Sequence, residues 1–145
     1  MITISQLTEA TANSIAELNT LMRELRTEQS GDAINSVDDM TLLLSDKNIV
    51  VMTVKDDEKI VGVATLYIVP KIGKTVAYIE DVVVSSAYRG QGLGEKLVRK
   101  VIETARSRHV KSVGLTSRPA REAANKLYQK IGFNRKETNV YKLAL

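Results

Sequence analysis

The sequence has no cysteine and no tryptophan, one histidine, one phenylalanine and two prolines among its 145 residues. Without cysteine there is no disulfide, no thiolate zinc site and no cysteine nucleophile. The single histidine, His109, falls near the end of a predicted helix, where it meets the negative end of the dipole. No metal ligand set is visible around it, and no Ser-His pair offers a covalent route. No apolar run approaches the ~18 residues of a membrane span, and no signal-peptide pattern is present, so a cytoplasmic protein without a membrane partner is expected. Basic residues outnumber acidic ones by 21 to 17, and the net charge of +4 is scattered. That balance could help attract an anionic cofactor. With no basic run and no interleaved aromatics, nucleic acid is not an expected partner. Hydrophobic residues make up 43%, enough for one domain, residues 1–145, with a proper core.

What the sequence does have is concentrated in residues 75–106, TVAYIEDVVVSSAYRGQGLGEKLVRKVIETAR. Val76, Ile79, Val82, Val83 and Val84 are strand formers. From Leu93 the apolar positions Leu97, Val98, Val101, Ile102 and Ala105 follow at helical spacing. Between strand and helix lies Arg89-Gly90-Gln91-Gly92-Leu93-Gly94. Glycines let a backbone approach a ligand, and the first turn of a helix offers unpaired N–H groups under a positive dipole. A phosphate or pyrophosphate is the expected guest.

Three glycine-loop chemistries compete for this turn. A Walker loop needs Gly-Lys-Ser/Thr at its end, but Glu95-Lys96-Leu97 follows Gly94. A dinucleotide fingerprint needs a third glycine at position 95, which is glutamate. The third fits: Arg89-x-x-Gly92-x-Gly94 after a valine-rich strand resembles the acetyl-coenzyme A signature of the GNAT superfamily of N-acetyltransferases. Ala124-Asn125-Lys126-Leu127-Tyr128-Gln129-Lys130-Ile131-Gly132-Phe133 is similar to a second segment of that family, A-x-x-L-Y-x-x-x-G-F.

The remaining chain reads compatibly. Residues 2–6 alternate as a first strand, and Thr8 offers an N-cap to a helix carrying Ile15, Leu18, Met22 and Leu25. Residues 27–35 read as a loop, and Ser36 with Asp39 opens a short second helix. Residues 48–55 and 60–69 form a hairpin about residues 56–59, and Pro70 is expected to end its second strand. Residues 111–117 should run parallel to the 75–84 strand because a helix joins the two. Pro119 precedes a helix stopped by Gly132, and residues 133–137 and 139–145 are expected to close the sheet as a hairpin. The result is an α+β fold with a mixed, mostly antiparallel sheet and helices on both faces.

The resemblance implies more. The two central parallel strands should splay into a V that receives the pantetheine arm, lined by the backbones of Val82, Val83 and Val84. The Val82 N–H would donate to the thioester carbonyl. The N–H groups of Arg89, Gly90, Gln91, Gly92, Leu93 and Gly94 would hold the pyrophosphate, with the Arg89 side chain in support. Tyr128 matches the tyrosine many such enzymes aim at the coenzyme sulfur, and a phenol can protonate a leaving thiolate; packing as a core residue is its plainer role. Glu80, expected on one strand face with Tyr78, Val82 and Val84, could act as base or hold a cationic acceptor. Asp81 should point the other way unless a bulge intervenes. Where many members have a coenzyme-binding Asn, this chain has Arg121, which could meet a phosphate; Asn125 could take part of the role.

The implied activity is transfer of acetyl from acetyl-CoA to a primary amine of a small molecule or peptide, by direct attack and without a metal. Ile79-Glu80-Asp81-Val82-Val83-Val84 also looks like the glucosamine-6-phosphate branch, which makes an amino-sugar phosphate an alternative acceptor. A non-catalytic acyl-CoA binding module is the rival from another class. A homodimer is compatible with either.

Overall fold

The computed structural model describes residues 1–26 and 35–145, so the loop expected at residues 27–35 lies almost wholly outside the described residues. Strand β1 (Ile2–Gln6) is followed by helices α1 (Ala12–Leu25) and α2 (Val37–Ser45), then strands β2 (Ile49–Asp56), β3 (Lys59–Lys71) and β4 (Lys74–Val84). Helix α3 (Leu93–Ser107), strand β5 (Val113–Gly114) and helix α4 (Glu122–Ile131) complete the order. The sheet runs β1-β2-β3-β4-β5; all neighbours are antiparallel except β4 and β5, which are parallel. Among the described residues no helix is long and apolar enough to cross a membrane.

Local chemistry sets the element ends. Helix α1 starts later than expected, capped by Thr11 rather than Thr8. The Thr11 hydroxyl accepts from the Ser14 N–H at 3.1 Å and the Ser14 hydroxyl accepts from the Thr11 N–H at 2.9 Å. The Ser36–Asp39 box opens α2 as expected. Pro70 does not end β3: it pairs with Thr75, and β3 runs on to Lys71. The Ile68 N–H bonds Asn48 on the β2 side, so the position two residues on faces beyond the last β2 pair, Ile49 with Tyr67. The N–H that proline lacks would have had no partner there. Helix α3 ends on His109, whose φ of 57° closes the last turn.

The sheet carries a core on each face. Leu97, Val98, Val101 and Ala105 of α3, fully buried, pack on Met52, Val54, Leu66, Ala77 and Ile79. Ile15, Leu18 and Leu21 of α1 and Met40 of α2 pack on Val51, Val63 and Val83 from the other side. Burying a side chain of this size stabilises by about 1.5–3 kcal/mol.

The C-terminal end corrects the sequence reading. Residues 133–145 form no strand, so the closing hairpin is absent and β5, two residues long, ends the sheet. Val140, Tyr141, Leu143 and Leu145 are exposed. Alternation in this stretch satisfies the strand pattern, but a strand also needs an edge to pair with, and β5 offers one only across Val113 and Gly114.

Candidate active site

Past Tyr78 the two parallel strands part. β4 continues to Val84, whereas the chain after Gly114 turns away, and a cleft of about 470 Å³ opens between them. Ile79, Glu80, Asp81 and Val82 line one wall. Leu115, Thr116, Ser117, Arg118, Arg121 and Tyr128 line the other, with Leu25 of α1 and Val140 also at the surface of the cleft.

A bulge shapes the β4 wall. Val63 pairs with Val83 and Thr65 with Glu80, so three steps on β4 match two on β3. Asp81 takes the strain with a φ of 57°, a conformation aspartate tolerates better than most residues. The extra residue reverses the alternation: Val82 and Val84 pack with Ala77 and Ile79 on the α3 side, and Val83 turns to α1. Glu80 therefore does not share a face with Val82 and Val84, as the sequence suggested. Asp81 joins it in the cleft instead of pointing away. Alternation alone would have put Asp81 on the other face; the bulge, the exception the sequence left open, brings it in.

Both carboxyls are harder to ionise than usual. Burial raises the Glu80 pKa, and the charge of Asp81 adds to it. Burial also raises Asp81, opposed by Arg26 and by the Thr65 hydroxyl that donates to it. A raised folded-state pKa means that Asp81 favours folding at low pH and loses that contribution as pH rises through its folded value. Asp81→Asn, which tolerates the same φ, should thus raise the melting temperature at neutral pH, with the gain disappearing in acid. A melting series across pH checks it, and a neutral-pH loss would contradict the burial argument.

The bulge also decides which backbone groups are available. The Ser85 N–H donates to Val61 at 2.8 Å, so Ser85 and, by alternation, Val83 face β3. The N–H and C=O of Val82 and the N–H of Val84 are left on the edge toward the cleft, while the Val84 carbonyl is taken by Arg89 Nε. Val83 is paired with Val63 in the ladder.

After β4 a short 3-10 turn, Ser86–Tyr88, leads into the glycine turn. Gly90 and Gly92 have φ of 79° and 72°, with nothing within 4 Å of a would-be Cβ, and Gly92 caps α3. Leu93 is buried in the core and anchors the turn, while Gln91 is exposed. Gly94 differs: its Cβ would sit 3.8 Å from Leu127 Cδ2, an ordinary contact with no positive φ. Gly92→Val should therefore weaken acetyl-CoA binding by about tenfold, since a left-handed residue costs an L side chain about 1–2 kcal/mol. Gly94→Ala should bind like the parent. Calorimetry separates the two, and equal losses would mean that bulk, not backbone conformation, governs the turn.

The remaining predicted residues are placed as follows. Arg89 Nε donates to the Val84 carbonyl at 3.0 Å, and its Nη2 lies 3.4 Å from Glu24. Arg121 is directed across the cleft, donating to the Leu25 carbonyl at 2.7 Å. Asn125 donates to the Arg118 carbonyl at 3.0 Å and so holds the connection between β5 and α4. Tyr128 stands on α4, half-buried, with its ring edge-on to Phe133 at 5.9 Å. Burial raises its pKa, with Arg121 opposing, and the phenol stays protonated at neutral pH. The Ser117 hydroxyl is buried in this wall without a hydrogen-bond partner among the described residues.

These features suit an extended acyl carrier: an open strand edge, a turn with open space beside Gly90 and Gly92, and an orphaned hydroxyl within the cleft. A mixed sheet splayed beside a glycine turn at a helix start defines a class of acyl-transfer fold. The chain belongs to the acetyltransferase (GNAT) family, whose pattern matches residues 15–133. It is 43% identical over 82 residues to a glucosamine 6-phosphate N-acetyltransferase of Trypanosoma brucei brucei, covering 54% of each chain. It is 34% identical over 77 residues to an L-2,4-diaminobutyric acid acetyltransferase of Shouchella clausii, covering 53% of this chain and 43% of that one. These matches span about half the length of the curated relatives. A crystal structure of a Trypanosoma brucei acetyltransferase superposes with a TM-score of 0.79 at 29% identity, covering 100% of both chains.

Proposed function

We propose that residues 1–145 form one N-acetyltransferase domain that moves acetyl from acetyl-CoA to a primary amine by direct attack, in a ternary complex. The observation that carries this is the cleft itself, with two carboxyls on one wall, a protonated phenol on the other, and the glycine turn following the first wall. Bound acetyl-CoA supplies a thioester whose carbonyl carbon accepts the amine. Val82 N–H, on the free edge, stabilises negative charge on the carbonyl oxygen. Glu80, with Asp81 beside it, takes the amine proton directly or through a water, or holds a cationic acceptor in place. Tyr128 gives its proton to the sulfur as the carbon–sulfur bond breaks. Arg89 and the N–H groups from Gly90 to Gly94 hold the pyrophosphate.

A second reading, an amino-sugar phosphate acceptor, is favoured by the glucosamine 6-phosphate relative and by Arg118 and Arg121 opposite the carboxyls. The wall charges suit a molecule with an ammonium at one end and an anion at the other. The test is thiol release with glucosamine 6-phosphate against glucosamine: a lower KM for the phosphate supports this acceptor, and equal constants exclude a phosphate-reading role for the arginines. The proposal also takes the protein as cytoplasmic and able to pair as a homodimer, which sedimentation would show as a doubled mass.

A further inference from the structure

Glu24 stands in the last turn of α1, where the negative end of the helix dipole disfavours a carboxylate. Its position is explained by what it accepts. Glu24 Oε2 receives the Ser86 N–H at 3.0 Å and Arg89 Nη2 at 3.4 Å. Ser86 is the first residue of the 3-10 turn that leads to the glycines, and Ser85, its cap residue, makes no side-chain cap bond. The carboxylate of a distant helix caps this turn instead. Arg89, held by Glu24 on one nitrogen and by the Val84 carbonyl on another, is oriented by the same contact. One residue further on, the Leu25 carbonyl accepts from Arg121 of the opposite wall at 2.7 Å. The end of α1 is therefore bonded both to the segment before the glycine turn and to the start of α4, and Leu25 lines the cleft between them.

We propose that Glu24 is a positioning residue for the coenzyme turn. From the end of α1 it fixes Ser86 and Arg89 so that the glycine backbone is set for the pyrophosphate. The inference rests on the acetyl-CoA reading of that turn. It assigns to α1, which packs on the sheet face opposite α3, a direct part in cofactor affinity.

The experiment is calorimetry and steady-state kinetics on the full chain with acetyl-CoA as titrant. Glu24→Ala should raise Kd and KM for acetyl-CoA about tenfold, the equivalent of one lost hydrogen bond to a charged group. At saturating coenzyme kcat should stay near the parent value. Glu24→Gln keeps an oxygen for Ser86 and should recover part of the affinity. Ser86→Pro removes the same N–H from the other side; proline suits a first helical position, and Ser85 with ψ of 137° suits a residue before proline. Combining Glu24→Ala with Ser86→Pro should cost much less than the two separate losses together. Parental affinity in Glu24→Ala, or full additivity of the pair, overturns the inference while leaving the cofactor reading intact. A parent protein that does not bind acetyl-CoA overturns both.

Discussion

Tyr128→Phe should lower kcat by about 10²–10⁴-fold, the span expected when a general acid is removed. The ring would keep its edge-on contact with Phe133, because only the hydroxyl is lost. Stability should fall by no more than about 1 kcal/mol, the usual worth of one hydrogen bond. The raised pKa of the phenol fits the role, since burial keeps the proton in place until a thiolate demands it. A tyrosine that only packs would behave in the opposite way, with kcat per folded molecule unchanged and any effect confined to melting. Thiol release and a melting curve on both proteins distinguish the two.

Glu80→Gln should lower kcat/KM by about 10²-fold if the carboxylate assists deprotonation, near the lower end of general-base effects. The pH profile carries the sharper test. Burial and the neighbouring Asp81 raise the Glu80 pKa, so the acidic limb should lie above the ordinary carboxylate range. Activity should fall as pH drops through that value and the base becomes protonated. The limb should flatten in Glu80→Gln and move to lower pH in Asp81→Asn, which removes the charge that helps to raise it. A Glu80→Gln enzyme with the parental profile and a raised acceptor KM would make Glu80 an acceptor-binding residue instead.

Much of this site was legible from residue order alone. The valine strand, glycine turn and amphipathic helix of residues 75–106 are local patterns, and each formed as β4, the capped turn and α3. Tyr128 was singled out by the resemblance of residues 124–133 to a family segment, and it lines the cleft. What escaped was set by register and by distance along the chain. Asp81 enters the cleft because β3 and β4 slip by one residue, and nothing in Glu80-Asp81-Val82 announces the slip. Glu24 reaches Arg89 across 65 positions, a meeting that only tertiary packing creates. The hairpin expected at residues 133–145 shows the converse, an alternating pattern without a partner strand.

The most direct test of the account is release of free thiol from acetyl-CoA with a panel of amines, amino acids, amino sugars and peptides, with the products weighed by mass spectrometry. Thiol release should be matched one to one by an acetylated primary amine, with no acetyl group left on the protein. Tight binding of acetyl-CoA with no thiol released for any amine would contradict it and leave a binding module in place of an enzyme.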